Sequence, residues 1–407
     1  MKILLKNANI LTMERDEIQY GVDLLTDGGK IAAIGRRLPA EDASVIPCTG
    51  KFLIPGLFDA HCHIDSSEMG ELFIANGITS VRSLNGNPRQ LEWAEEIEAG
   101  LRTGPYIYSS GAIYDGVVLD THKTNKCIAT EEEAEQAVRD TINGGYRWMK
   151  TYPAVKPEVL EHLMKTANRS GIKVCGHMSY HVDAKVLADW GYFCCEHSSS
   201  LPRHPSDIEY IAKAGMWFCP TQVVCETLPD YVWNGKQLEE LEHYQYVPKS
   251  RRDMWTERNK GIIRSYKDRG LKPDINVIIA RGKKFMEFSD RYMAGSDTCY
   301  PGMIAGFSLH DELGRLVDLY GRTNYQALRA ATVNPSLHIG IEGKKGTLVA
   351  GKDADIVILA DNPLADIRNT RKIEAVMQAG KLYDRAGLDA MLGRVRNIGP
   401  DELEIIM

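Results

Sequence analysis

The sequence predicts an α/β fold, a (β/α)8 TIM barrel with a small β-sandwich domain built from both chain ends. The middle of the chain alternates strand-like apolar runs with segments of helical periodicity. The two ends instead carry short alternating strands separated by glycine turns. A chain of 407 residues is long enough for a barrel of about 250 residues and one satellite domain.

We expect four segments along the chain. Residues 1–54 and 343–385 build the two parts of the β-sandwich, and residues 55–342 build the barrel. Residues 386–407 form a charged C-terminal tail, either a helix or a subunit contact. Within the barrel, residues 236–290 form a polar helical excursion that is expected to cover a site or to mediate assembly. Whether the chain forms a homo-oligomer is left open.

Composition excludes several classes of partner. With 43% hydrophobic and 26% charged residues, the chain is globular, and its net charge of −6 argues against nucleic acid and anionic membrane as partners. The apolar stretches are only strand-length, and the N-terminus is typical of a strand rather than a signal peptide. Nine cysteines without zinc-finger spacing indicate a reduced, cytoplasmic setting. A small-molecule substrate is the expected partner.

Histidines, a lysine and an aspartate end successive strand-like runs. His61 and His63 lie two apart in GLFDAHCHI, so on a strand both imidazoles face the same side and reach one metal ion. Four further runs end in a residue of this kind: YRWMK in Lys150, IKVCGH in His177, YFCCEH in His197 and RYMAGSD in Asp297. A solvated lysine, core histidines and a helix cap would explain these residues singly, but not the order of all six. In a barrel they would meet at one end.

These motifs resemble the amidohydrolase superfamily, within it the imidazolonepropionase-like and prolidase-like metal-dependent hydrolases. The resemblance spans nearly the whole chain and rests on the following pieces: IPGLFDAHCHI, the Lys150 strand, GH at 176–177, EH at 196–197, GSD at 295–297, ALRAATVNPS at 327–336 and GTLVAGKDADIVILADNPL at 346–364. It implies a binuclear enzyme acting on carbon–nitrogen bonds. The substrate would be a small N-acyl, dipeptide-like or cyclic amide.

The resemblance also implies a role for each matching residue. His61, His63 and Asp297 would bind the more buried ion, and His177 and His197 the second. Lys150 would bridge both ions as a carbamate, because a desolvated lysine has a lowered pKa and its neutral amine captures carbon dioxide. Zinc suits this mixture of imidazole and carboxylate ligands.

The implied mechanism is attack by a metal-bridging hydroxide. Metal coordination lowers the pKa of bound water towards ~7. Asp297 would accept the proton of the attacking group and deliver it to the departing nitrogen, as general base and then acid.

Residues just past the strand ends are candidates for substrate binding, namely Tyr152, His181 and Gln222. His122, in the polar loop THKTNK, would meet a substrate carboxylate or simply be solvated. Glu196 precedes a ligand on its strand and is expected to point away from the lumen.

Two alternatives stay open. One is a mononuclear deaminase or cyclic-amide hydrolase in which Lys150 is only structural. Such relatives often carry a glutamate soon after the strand 5 histidine, and HMSYHVDA has none, which favours two metals. The other is a non-catalytic scaffold that kept the fold. The chain also lacks the Gly-Gly pair typical of prolidase-like relatives after the lysine, so an N-acyl or cyclic amide fits at least as well as a dipeptide.

Overall fold

A computed structural model describes residues 1–117, 125–268, 270, 272–298 and 300–406. Its strands are β1 Lys2–Ile10, β2 Gln19–Asp27, β3 Lys30–Gly35, β4 Ala43–Pro47, β5 Phe52–Pro55, β6 Leu57–Cys62, β7 Ile78–Ser83, β8 Tyr106–Asp115, β9 Lys126–Cys127, β10 Trp148–Thr151, β11 Lys173–Gly176, β12 Cys194–Glu196, β13 Trp217–Cys219, β14 Ile356–Leu359, β15 Ile373–Gln378 and β16 Lys381–Asp384. Its α-helices are α1 Met69–Ala75, α2 Pro88–Glu98, α3 Glu131–Asn143, α4 Pro157–Arg169, α5 Ala184–Asp189, α6 Pro205–Lys213, α7 Gln222–Trp233, α8 Lys249–Asp268, α9 Ile275–Phe288, α10 Phe307–Asp318, α11 Asn324–Ala330, α12 Val333–Ile339 and α13 Arg385–Asn397. Among the described residues, no helix combines the length and apolar character that a membrane span requires.

Seven parallel strands form most of the barrel, in the order β13-β12-β11-β10-β8-β7-β6. The segment from Arg291 to Thr298 closes it. The backbone nitrogen of Phe218 in β13 donates to Arg291 (3.0 Å), and that of Ala60 in β6 donates to Ala294 (2.9 Å). The predicted TIM barrel is therefore confirmed.

Both chain ends contribute to a second sheet, in the order β16-β15-β14-β5-β1-β2-β3, with β4 also beside β1. The register pairs Leu53 of β5 with Ile358 of β14, so distant segments meet directly. Leu5, Leu24 and Leu53 are fully buried in its core, and each contributes about 1.5–3 kcal/mol on burial. The small β domain built from both ends is confirmed, and its exact boundaries stay predictions.

The helices cover the barrel with one apolar face each. In α4 the buried residues follow helical spacing, and Pro157 occupies the first turn, where its missing N–H leaves no helical bond unmade. Thr130 and Glu133 form a capping box at the start of α3, which satisfies backbone donors that the first turn leaves free. These local signals fix where each helix begins and thus where the preceding strand ends.

The polar excursion and the C-terminal tail both cover the loop that follows β6. Arg251 of α8 donates two hydrogen bonds to Asp65, each 2.6 Å long. After α13 the chain returns to the same loop, where Ile406 donates its backbone N–H to Asp65 (2.7 Å) and Ile405 forms a β-bridge with Ser66. The excursion thus contacts the loop that follows β6, while its role in covering a site or in assembly stays a prediction.

Candidate metal centre

The end of β6 brings two imidazoles to one carboxylate. His63 Nε2 lies 3.0 Å from Asp297 Oδ1, and His61 Nε2 lies 3.4 Å from the same oxygen. One ligand atom from each of the three residues falls within 4.8 Å of the others. Asp297 reaches this position because its backbone N–H donates to the carbonyl of His61 (2.8 Å). These three residues can hold one divalent cation.

Lys150, in β10, is fully buried beside this group. Its amine Nζ lies 3.1 Å from His61 Nε2, and no ion pair among the described residues includes it. Burial lowers the pKa of Lys150, and the negative charges of Asp297 and Glu196 raise it only in part. The buried site therefore makes the neutral amine easier to reach than it is for an exposed lysine.

His177 and His197 complete the cluster. Their ring centroids are 4.6 Å apart, and the ring of His197 lies 4.7 Å from that of His61. Thr221 Oγ1 is within 2.7 Å of His197 Nδ1. The structure thus brings all six predicted residues together at the carboxyl ends of the barrel strands, while their roles as metal ligands stay predictions.

Unusual backbone conformations orient three of these six residues, namely His177, His197 and Asp297. His197 and Asp297 have φ values of 71° and 57°, and Gly176, just before His177, has a φ of 138°. Such angles are uncommon for residues with a Cβ, so at His197 and Asp297 they indicate local strain that the surrounding structure holds, whereas glycine adopts them readily. Because they break the alternation of a strand, consecutive residues 196 and 197 can both face the interior.

The expectation that Glu196 points away from the lumen is wrong for this reason. Its carboxylate is fully buried, with Oε2 at 2.8 Å from His61 Nδ1 and Oε1 at 2.6 Å from Arg82 Nη2. Sequence reasoning applied strand alternation through a residue that has left the extended conformation. The EH dipeptide carries no local signal of that change.

The electrostatics of the cluster suit a cation. Burial lowers the pKa of His61 well below its ordinary value, lowers that of His63, and lowers that of His197 to about 4. Burial raises the pKa of Asp297, but the three imidazoles around it outweigh this effect and hold it below its usual range. Neutral imidazoles beside an ionised carboxylate form the donor set that zinc and similar ions prefer. The residues present therefore fit a metal ion.

The predicted substrate contacts have different outcomes. Tyr152 lies at the cluster, its ring centroid 4.3 Å from that of His177. His181 is exposed and its ring neighbours Tyr180. Gln222 is fully buried, and its side-chain oxygen accepts from the Tyr320 hydroxyl (2.6 Å), so this geometry gives no support to a substrate contact. His122 lies outside the described residues.

Sequence reasoning missed one cation near the cluster. Arg258 of α8 is exposed, with its guanidinium carbon 4.9 Å from the centre of the Tyr300 ring. Tyr300 lies close to the candidate metal centre, since its backbone N–H donates to the Asp297 carbonyl (3.0 Å). The positive charge of Arg258 also contributes to lowering the pKa of His63, after burial. A single arginine in a polar helix offers no sequence signal of such a position.

Comparison with known proteins agrees with the fold and the motifs. Residues 52–383 match the amidohydrolase family. The chain is 21% identical over 437 aligned residues to an adenine deaminase of Rubrobacter xylanophilus, covering 99% of this chain but only 63% of that enzyme. An imidazolonepropionase of Thermoplasma acidophilum is 24% identical over 370 residues, which cover 83% of this chain and 82% of that one.

A solved structure shares the architecture. The crystal structure of a putative prolidase from Bifidobacterium longum aligns with a TM-score of 0.75 at 22% identity, covering 97% of this chain and 98% of that one. The similarity extends over the barrel and the small β domain alike. Together with the family match over most of the sequence, it confirms the resemblance that the motifs indicated: the chain belongs to the amidohydrolase family.

Proposed function

We propose that this chain is a binuclear metal-dependent hydrolase that cleaves a carbon–nitrogen bond in a small amide. The observation that carries the proposal is the burial of Lys150 among imidazoles, with its amine 3.1 Å from His61 Nε2. A buried ammonium without a carboxylate partner is unfavourable by several kcal/mol. The neutral amine would react with carbon dioxide and lose a proton, and the carbamate anion so formed would suit a pair of divalent cations.

His61, His63 and Asp297 would hold one ion and His177 and His197 the other, with the carbamate of Lys150 between them. When bound, two divalent ions, zinc fitting best, would polarise the substrate carbonyl and lower the pKa of water towards ~7. Chelating residues on rigid strand ends keep this arrangement ready before substrate arrives.

Asp297 is the proposed acid and base of the reaction. Its Oδ1 faces His61 and His63, and its Oδ2 lies 3.9 Å from His197 Nδ1, so it stays ionised in the resting site. An ionised carboxylate can accept the proton of the attacking water and then donate it to the leaving nitrogen. Tyr152 packs against His177 and would form one wall of the substrate site.

The positive charge of Arg258 indicates which small amides are the better candidates for the substrate. Its guanidinium carbon lies 4.9 Å from the centre of the Tyr300 ring, and no ion pair among the described residues includes it. An unpaired guanidinium at a site mouth suits a carboxylate on the substrate, which it can bind through two parallel hydrogen bonds. This favours N-acyl amino acids and dipeptide-like amides over neutral cyclic amides.

A second candidate, a deaminase with one metal ion, is supported by the similarity to the adenine deaminase of Rubrobacter xylanophilus. Deamination also breaks a carbon–nitrogen bond, but releases ammonia from a ring carbon. In that enzyme Lys150 would be merely structural. The burial of its amine without a carboxylate partner favours the binuclear proposal.

A substrate panel with Asp297→Asn tests the proposal. We expect zinc-loaded protein to hydrolyse N-acyl amino acids or dipeptides, and Asp297→Asn to lower kcat by roughly 10²–10⁴-fold. Metal analysis of both proteins separates loss of the base from loss of an ion. Ammonia release from an aminopurine would favour the deaminase instead. A metal-loaded protein that turns over no member of the panel would favour the scaffold.

A further inference from the structure

A chain of buried polar groups lies beneath the metal centre and takes no part in the mechanism above. It runs from Arg82 in β7 through Glu196 in β12 to His61, with His338 of α12 on the far side of the arginine. Each of these four side chains is at most 1% exposed. Around them lie the apolar residues that fill the barrel interior, among them Ala60, Trp148, Cys175, Cys194 and Cys219.

Each of the three guanidinium nitrogens of Arg82 donates a hydrogen bond. Its Nε donates to the carbonyl of Ala60 (2.6 Å), Nη2 to Glu196 Oε1 (2.6 Å) and Nη1 to His338 Nε2 (2.9 Å). Arginine only donates, so the nitrogen of His338 that faces it must accept. Three bonds from one planar group fix both the arginine and the carboxylate that it holds.

The fixed carboxylate decides which nitrogen of His61 carries the proton. An ionised glutamate is an acceptor only, so the 2.8 Å contact requires that His61 Nδ1–H donates to Glu196 Oε2. The other nitrogen, Nε2, then keeps its lone pair. That nitrogen faces Lys150 Nζ at 3.1 Å and Asp297 Oδ1 at 3.4 Å, in the predicted metal cluster.

We propose that Arg82 and Glu196 are positioning residues that hold His61 in its Nδ1–H form and aim its Nε2 at the metal centre. The inference rests on one part of the proposed function, namely that the residues around His61 bind a metal ion. A carboxylate hydrogen-bonded to the far nitrogen of a ligand histidine fixes the ring and increases its basicity. In the low-dielectric interior of the barrel this bond is stronger than at the surface.

A contribution to stability does not by itself explain the buried ion pair of Arg82 and Glu196. Removing two charges from water is unfavourable by several kcal/mol, and apolar residues of similar volume often replace a buried ion pair without loss. The neighbouring positions of the barrel interior are already apolar. The feature that an apolar pair would not reproduce is the third partner, His61, which shares the carboxylate with Arg82.

Glu196→Gln tests the inference with little change in volume. Arg82 would still donate to the amide oxygen, so the amide nitrogen would face His61 Nδ1 and require it to accept, which moves the imidazole proton to Nε2. We expect zinc affinity, measured by competition with a chelator, to fall about 10–100-fold. In metal-free protein, NMR of isotope-labelled imidazole nitrogens is expected to report the reversed tautomer of His61.

Two further variants keep the test decisive. Arg82→Lys retains the charge but loses the fork, and is expected to weaken zinc binding as well, even where Glu196→Gln does not fold. Asp355→Asn is the matched control, since it removes a buried carboxylate from an ion pair with Lys345 in the small β domain. It is expected to leave zinc affinity unchanged.

The outcomes separate this inference from the proposed function. Unchanged zinc affinity and an unchanged His61 tautomer in Glu196→Gln would overturn the positioning role. A wild-type protein that binds no zinc would overturn the proposed function, while the tautomer of metal-free His61 would still decide the inference. Equal losses of zinc affinity in Asp355→Asn and Glu196→Gln would reduce the pair to a structural element.

Discussion

Two lysines are buried in the part of the chain that the structure describes, and their surroundings differ. Lys345, 6% exposed, contacts the carboxylate of Asp355 and lies 2.9 Å from Asp353 Oδ2. Lys150, fully buried, has an imidazole nitrogen at 3.1 Å instead. The first is an ion pair between residues of the small β domain. The second lies at the mouth of the barrel among residues that suit a metal.

The difference shows how burial can mark a functional lysine. A buried ammonium ordinarily requires a carboxylate, and Lys345 has two. Lys150 has none in an ion pair among the described residues, and burial lowers its pKa, so its neutral form is easier to reach than that of an exposed lysine. A neutral amine is the reactive form of lysine. The lysine without a counter-ion is thus the one suited to chemistry.

Replacing each of the two lysines in turn tests this comparison, and the largest effect is expected at Lys150. Lys150→Ala is expected to lose at least one metal ion and to lower kcat/KM by roughly 10³-fold or more, because a metal supplies several kcal/mol of transition-state stabilisation. Metal analysis and steady-state kinetics on protein prepared with zinc and bicarbonate would measure this. Two ions retained in Lys150→Ala would break the comparison.

Lys345→Met is the counterpart and should affect stability instead. It leaves the buried carboxylate of Asp355 without its cation, while Asp353 keeps its ion pair with Lys30, and the expected loss is about 3–5 kcal/mol in the free energy of unfolding. Urea unfolding measures that loss. Metal content and kcat are expected to match the wild type, and a loss of metal would show that the small β domain supports the centre.

The comparison extends to an exposed cation without a carboxylate. Arg258→Met is expected to raise KM about tenfold for substrates that carry a carboxylate, since a hydrogen bond to a charged group contributes about 1.5–3 kcal/mol. For neutral amides KM should stay the same, and kcat should change little for either class. Lys260→Met, on the same helix and paired only with Glu257 among the described residues, is the control. Equal effects of both variants would contradict the assignment.

The smallest expected effect is on the pH dependence of stability, and it comes from His310, a buried histidine whose neutral form is favoured in the folded protein. His310 lies between the Asn76 carbonyl (3.0 Å) and the Thr370 hydroxyl (2.9 Å). Burial, assisted by the charge of Arg371, lowers its pKa to about 3 from 6.5. Below pH 6.5 the unfolded chain therefore binds a proton that the folded chain does not. Stability should fall as the pH drops through this window.

His310→Gln removes this contribution while retaining polar atoms in the same place. The slope between pH 6 and pH 5 should become shallower by up to about 1.4 kcal/mol per pH unit. Urea unfolding of both proteins at several pH values measures it. Parallel curves for the two proteins would show that His310 does not govern this part of the pH dependence.

Local pattern was sufficient for the fold class and for the candidate residues of the site. Strand periodicity, helix signals and the order of Lys150, His177 and His197 along the chain are properties of short segments. The barrel confirms the fold and brings these side chains together. Local pattern failed where the backbone departed from regular strand geometry. At His197 φ is 71°, and the prediction for Glu196 was wrong for this reason.

Side-chain contacts between residues far apart in the chain could not be predicted from the sequence either. Gln222 follows a strand end as predicted, yet its side chain meets Tyr320, 98 residues further along the chain. Arg258 lies near Tyr300 on a helix whose Arg251 binds Asp65, 186 residues away in the chain. No periodicity or motif encodes such a meeting, since it depends on how separate elements pack.

The amino-acid sequence by itself determined the barrel, the joining of the two chain ends and the membership in a family, because hydrophobic periodicity and motif order act over short stretches of chain. Only the tertiary structure decided which lysine is buried without a counter-ion and which carboxylate holds His61. Burial and hydrogen-bond partners are set by side chains far apart in the chain, and those same partners control protonation and tautomer.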